Sequence, residues 1–136
     1  MKKLVVILLA IAMIPSIQSC KKKEETPKPT AKELLTKDDW TFVKLEFYDA
    51  NGNLTNTYNY HNKWVFAPSM DYYMYDDLGD LQGYGTWSLL DDDSKIRFQE
   101  HAGNYDYTFD IDKLSDNEFQ FSMTGSSGKV VYYLSR

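Results

Sequence analysis

The sequence predicts an all-β fold: an eight-stranded antiparallel up-and-down barrel preceded by one short helix. Three observations carry this. Beyond Asp39 the apolar residues recur with period two, as where Tyr105, Tyr107, Phe109 and Ile111 alternate with Asp106, Thr108, Asp110 and Asp112, so each strand has one apolar and one wet face. Turn-forming residues return about every ten positions, the habit of barrels and sandwiches. The 7 Phe, 3 Trp and 11 Tyr all lie after residue 39 of the 136, which confines the material of a packed core to the later part of a chain long enough for one folded unit.

The elements follow in order. Met1-Lys2-Lys3 is basic, and residues 4–14 form an uninterrupted apolar run of 11, well short of the roughly 20 that a membrane-spanning helix needs. Residues 1–19 therefore read as a signal peptide. The run gives way to Ile17-Gln18-Ser19-Cys20, which resembles a bacterial lipobox, so Cys20 is expected to be acylated and to become the new N-terminus. A buried unpaired cysteine is the bland alternative, and the place of Cys20 at the end of the apolar run argues against it. Several acyl chains on one residue anchor a protein stably, where a single chain does not. Lys21-Lys22-Lys23-Glu24-Glu25 is unlike the signal that retains lipoproteins at the inner membrane, so the outer membrane is the expected address. A Lys followed by two acids also resembles the surface-export signal of Bacteroidetes lipoproteins, although a solvated tether would be charged in any case. Residues 20–33 are then the lipidated Cys and a flexible tether, whose 13 residues after the Cys reach on the order of 20 Å as a coil.

Residues 34–136 form the expected barrel domain. Thr30-Ala31-Lys32-Glu33 has the spacing of a capping box and predicts a short helix over 31–36. Strands are predicted at 40–48, 54–60, 63–66, 71–75, 84–90, 95–100, 105–114, 118–124 and 130–135. Merging the second and third into one bent strand leaves eight. Asn51-Gly52 supplies the positive φ of a tight hairpin, while residues 91–94, 101–104 and 126–128 are further polar reversals. Links this short fit a meander that closes on itself, and argue against a Greek-key sandwich.

Several segments together resemble a known family: Leu34-Leu35 followed by Trp40, Asp49-Ala50-Asn51-Gly52, Lys63-Trp64-Val65-Phe66, Gly83-Tyr84-Gly85-Thr86-Trp87-Ser88-Leu89 before an acidic turn, Ile96 with Phe98, residues 107–111, and Leu114-Ser115. They are similar to the lipocalin-like domain lipoproteins abundant in Bacteroidetes, over residue 34 to the C-terminus. The resemblance implies a lipocalin-like barrel, with Trp40 in the place of the tryptophan that closes the barrel base. The usual preceding glycine pair is absent, since Asp38-Asp39 stands there.

From Leu34 onward there are 8 basic and 17 acidic side chains, a net charge of -9; this repels phosphate backbones and excludes a nucleic-acid partner. One Cys and two His, at 61 and 101, rule out a disulfide and the usual metal clusters. Both His lie in or beside turns without a nucleophile motif, so no enzyme is expected. The acidic groups at 76–80 and 91–93 lack the spacing of a calcium loop and read as solvated turns. No cofactor is expected. The candidate ligand-binding residues, placed in the barrel interior, are Tyr73, Tyr75, Tyr105, Tyr107, Phe109, Phe119 and Phe121. Tyrosine is an apolar plate with a polar tip, suited to a cavity wall, although β-sheets favour tyrosine without any ligand. Two functions stand on this: a cell-envelope lipoprotein whose barrel binds a small hydrophobic or amphipathic ligand, a reading that rests on the fold, and a surface module that recognises a protein partner around a filled core. Cavity volume discriminates between them.

Overall fold

The computed structural model describes residues 27–136; the expected signal peptide, the lipobox with Cys20 and the first part of the tether lie outside the described residues. The chain opens with α1 (Ala31–Thr36). Thr30 caps it, its hydroxyl accepting from the Glu33 N–H while the Glu33 carboxylate accepts from the Thr30 N–H, the reciprocal bonds that satisfy two orphan donors. Eight strands follow: β1 (Trp40–Asp49), β2 (Leu54–Phe66), β3 (Asp71–Tyr75), β4 (Leu81–Leu90), β5 (Lys95–Glu100), β6 (Asp106–Leu114), β7 (Glu118–Gly125) and β8 (Gly128–Ser135). Each pairs antiparallel with the next, and β8 returns to β1, closing the barrel.

The structure extends the predicted strands at three points. Residues 54–60 and 63–66 are one strand, β2, whose register slips between the pairs Phe42↔Asn62 and Lys44↔Asn59. β4 begins at Leu81 rather than Tyr84, because Gly83 continues the ladder with Met74. β8 begins at Gly128 rather than Val130: its φ of 140° and its approach to the Tyr48 carbonyl, where a Cβ would collide, let the strand run on as only glycine allows.

A β-bulge fixes which residues of β1 look inward. Val43 is an extra residue between Phe42↔Leu134 and Lys44↔Tyr133, so the inward parity changes from Trp40 and Phe42 to Leu45 and Phe47. Lys44, Glu46 and Tyr48 are thereby turned to the outer wall.

The two ends of the barrel differ. At the base, where the chain enters and leaves, Trp40 and Leu35 are fully buried. The Trp40 indole N–H donates to the Leu35 carbonyl at 3.0 Å. The Arg136 guanidinium lies 3.8 Å over the Trp40 ring, and Arg136 also donates to the backbone carbonyls of Leu34 and Asp116. At the opposite end, the β1–β2 and β7–β8 turns surround an open mouth.

Between the ends the barrel is filled with rings. Trp64 packs against Phe98 at 5.9 Å and Phe121 at 6.0 Å, Phe66 against Trp87 at 5.8 Å and Phe119 at 5.9 Å, and Tyr72 against Phe98 at 5.2 Å. These are the tilted and edge-on distances at which aromatic pairs attract. Phe109 touches four rings, those of Phe98, Tyr107, Phe121 and Tyr132, with centroids between 5.2 and 6.3 Å. With neighbours on every side, Phe109→Ala is expected to cost about 3 to 5 kcal/mol, read from urea titration. A loss below about 1.5 kcal/mol would show that the site is less tightly packed than these contacts require.

Candidate functional site

The interior changes character towards the mouth. Above Phe121 and Phe109 the inward side chains are tyrosines: Tyr60 stacks on Phe42 at 4.6 Å, and Tyr132 stacks on Phe121 at 4.8 Å. Burial raises the Tyr132 hydroxyl pKa above the usual phenol value, and Tyr107 and Tyr60 raise it further. On the facing side, burial followed by the charge of Glu100 pushes Tyr72 up to about 12. These hydroxyls therefore stay protonated at physiological pH, able to donate a hydrogen bond as well as accept one.

The rim is apolar and open. Tyr107 is 43% exposed, Tyr58 48% and Met123 39%, although their places on the ladder point them into the barrel. Phe47 meets Tyr58 edge-on at 5.8 Å. A depression of about 310 Å³ lies between the β1–β2 and β7–β8 turns, lined by Phe47, Met123 and Val130 from the inner face and by Tyr48, Asp49 and Lys129 from the outer wall; it is at the low end of the range for small-molecule sites. The mouth offers an apolar rim of Phe47, Tyr58, Tyr107 and Met123, with Tyr60 and Tyr132 packed on the rings of the core. That chemistry suits one end of a small amphipathic molecule.

The predicted site residues separate into three groups. Tyr107 lies at the mouth, and Tyr105 stacks on it at 5.8 Å, just before β6. Phe109, Phe119 and Phe121 are packed into the core, the last two fully buried, so they hold the barrel together and are not free to meet a ligand. Tyr73 and Tyr75 are not in the interior. β3 pairs Tyr72 with Phe66 and Met74 with Trp64, which assigns the inward face to Tyr72 and Met74 and the outer wall to Tyr73 and Tyr75; the Lys63 ammonium lies 5.0 Å over the Tyr75 ring on that outside. Sequence reasoning passed over Tyr60 and Tyr132. The alternation of Tyr58 and Tyr60 was a usable signal for the first; Tyr132 stands in the run Val130-Val131-Tyr132-Tyr133, where both faces carry large side chains.

The polar candidates are occupied by local structure. The Asp76 carboxylate accepts from the Leu78 and Asp80 N–H groups and from the Gln82 amide. Asp91 pairs with Lys95 at 2.7 Å. His101 is exposed and meets Tyr84 edge-on at 5.5 Å, and His61 is exposed on β2. Among the described residues, no group of three or more His, Cys, Asp or Glu side chains is placed to hold a metal ion.

One charge is buried on the outer wall. Glu46 is 7% exposed, its carboxylate accepting from Lys44 Nζ at 2.6 Å and from the Tyr48 hydroxyl at 2.7 Å. Lys44, then Tyr133 and Tyr48, hold its pKa down at about 2 against an ordinary 4.5. The same cluster and its burial raise Tyr133.

No family model matches the chain, and no curated protein matches it. Among solved structures it is similar to a lipocalin-like protein from Bacteroides uniformis, with 15% identity, a TM-score of 0.55, and coverage of 76% of this chain and 98% of that one. The barrel is lipocalin-like. An uncharacterized protein from Bacteroides eggerthii matches with 13% identity and a TM-score of 0.49 over 72% of this chain and 97% of that one. A redesigned β-barrel matches with 17% identity and a TM-score of 0.44, covering 82% and 98% of the two chains.

The Glu46 cluster predicts a pH-dependent stability. A carboxyl whose pKa is lower in the folded state stabilises the fold fully above its unfolded value and loses that contribution as pH falls. With a folded pKa of about 2, the loss runs from about pH 4.5 down to about pH 2. Glu46→Gln should therefore destabilise the protein by about 1 to 2 kcal/mol at pH 7, after allowance for solvent near the cluster, and the deficit should vanish towards pH 2. Urea titrations at several pH values check this; an equal deficit at pH 7 and pH 2.5 would contradict it.

Proposed function

We propose that this chain is an outer-membrane lipoprotein, anchored through Cys20, whose barrel takes the apolar part of a small amphipathic molecule at its mouth. The observation that carries the reading is the interior itself: rings fill it up to Phe42, Phe121 and Phe109, and on these pack the tyrosines Tyr60, Tyr107 and Tyr132, inside an exposed apolar rim. By the cavity criterion the filled barrel counts against a ligand held in the interior and towards recognition by the exterior, so the proposal is confined to the mouth. Only one end of the molecule is buried, and the rest stays in water. The barrel domain's net charge of -9 and Glu100 near the mouth favour a neutral or cationic head over a free carboxylate.

The placement of the ends supports the anchor. Pro27, α1 and Trp40 lie at or lead to the base, so a lipid attached upstream leaves the mouth facing away from the membrane. In this reading the protein binds rather than catalyses. Recognition of a protein partner by the outer wall is the second reading, favoured by Leu78 at 83% and Tyr84 at 42% exposure, near the outward Tyr73 and Tyr75.

A neutral dansyl-alkylamide probe tests the mouth. Its fluorescence should rise on binding to the wild type, and Tyr107→Ala should weaken binding about tenfold, the equivalent of about 1.4 kcal/mol, while lowering stability by less than about 1 kcal/mol because the ring is largely exposed. No binding by the wild type would reject the ligand carrier and promote the protein-partner reading. For the anchor, detergent phase partitioning should place the wild type in the detergent phase and Cys20→Ala in the aqueous phase. Both proteins in the aqueous phase would reject lipidation.

A further inference from the structure

We propose that the outer wall of the barrel carries a second binding site, a cleft across β8 whose chemistry fits a neutral saccharide. The cleft has a volume of about 530 Å³, and its working surfaces are Tyr48, Gln120, Thr124, Lys129, Val131 and Tyr133. The register explains why a hollow exists on a barrel exterior. Three outward pairs run along the β7–β8 ladder, Gln120↔Tyr133, Ser122↔Val131 and Thr124↔Lys129. The middle pair is short and buried, Ser122 at 1% and Val131 at 6%, while longer side chains stand on both sides of it. The β1–β2 turn, with Asp49, Ala50 and Gly52, supplies one wall. The Val43 bulge turns Tyr48 outward to meet the cleft.

Most of the charges around the cleft are paired inside the protein. Lys129 Nζ lies 3.2 Å from the Asp112 carboxylate, and Lys44 is paired with Glu46. The Asp49 carboxylate accepts from the N–H groups of Asn51 and Asn53 and from the Asn53 amide. Asp112 and Lys129 cancel, which leaves the hydrogen-bonded Asp49 carboxylate as the one charge of the lining without a counter-ion; it disfavours an anion, as does the net charge of the domain. What remains is a set of groups for hydroxyls and for apolar C–H faces: the Gln120 amide, the Thr124 hydroxyl, the Val131 floor and two aromatic rings. A pyranose presents both kinds of surface.

Glu46 supplies the second, independent observation. It does not line the cleft. It holds the hydroxyl of Tyr48, and its partner Lys44 covers one face of the Tyr133 ring at 4.3 Å. A buried ion pair is seldom a net source of stability compared with apolar residues of the same shape. Here Glu46 fixes the Tyr48 ring directly and the Tyr133 ring through Lys44, and a ligand meeting rings already fixed loses less entropy on binding. With the Tyr48 hydroxyl engaged by Glu46 and one face of Tyr133 covered by Lys44, the rings offer the ligand their edges and the free face of Tyr133, which suits stacking against a sugar.

The test uses the full mature chain, with methyl groups labelled with carbon-13, in phosphocholine micelles that carry no sugar. It is titrated with maltose, cellobiose and lactose to about 20 mM, well above a Kd of about 1 mM. The Val131 and Ala50 methyl signals should shift with at least one disaccharide, while Val130 and Met123, which face the mouth, stay in place; this separates the cleft from the site at the mouth. Gln120→Ala, a change of a partly exposed side chain, should weaken binding about tenfold with an unchanged methyl spectrum in the absence of sugar. Glu46→Gln should weaken it as well, through the freed rings. If Val131 and Ala50 are unmoved by all three sugars, or if their shifts are the same in Gln120→Ala, the saccharide site is overturned.

Discussion

The closure of the barrel base rests on Trp40. Its indole N–H is bonded to the Leu35 carbonyl, its ring lies under the Arg136 guanidinium, and one edge meets Phe119 at 5.7 Å. One side chain thus joins the helix that opens the domain, the first strand, the seventh strand and the last residue of the chain. Arg136 adds bonds to the Leu34 and Asp116 carbonyls, so the ends of the domain are tied across more than a hundred residues of sequence. In an antiparallel meander the final pairing of β8 with β1 is the one with the greatest loop entropy to overcome. The Trp40 cluster is where that pairing is secured, and the strands between depend on it for a closed set of backbone hydrogen bonds.

The same economy explains where recognition can occur. Large rings fill the middle of a short-stranded barrel, which leaves stability in the core and chemistry at the margins. At the mouth the rings acquire hydroxyls and exposure. On the outer wall a single extra residue, Val43, reverses the parity of β1 and brings Lys44, Glu46 and Tyr48 to the outside, where the buried Glu46–Lys44 pair fixes Tyr48 and covers Tyr133. Both margins lie towards the end of the barrel away from the incoming chain.

Much of the architecture was legible in the sequence. Period-two alternation placed β3 and β5 at their observed limits, the capping box placed α1, and Trp40 was recognisable at the base. Arg136, its partner, was not, because nothing local marks a terminal arginine as the cover of a ring so distant in the chain. Phe109, Phe119 and Phe121 were correctly assigned to the interior, but alternation reports only a face and says nothing of depth: it cannot separate a core ring from a mouth ring such as Tyr107. For Tyr73 and Tyr75 even the face was misjudged. In Tyr72-Tyr73-Met74-Tyr75 both faces carry apolar bodies, and the choice is made by the partners Trp64 and Phe66 across the ladder. The Glu46 cluster was hidden for a related reason, since a bulge changes parity without a residue type that announces it.

The central claim is that the rings close the interior and that an apolar ligand is stopped at the mouth. It is tested most directly by a crystal structure of the chain soaked with a neutral alkylamide brominated at its tail, with the bromine located by anomalous scattering. The account predicts bromine beside Phe47, Met123 and Tyr107, above the stacked pair Phe121–Tyr132. Bromine below that pair, among Phe66, Phe98 and Phe119, would contradict it.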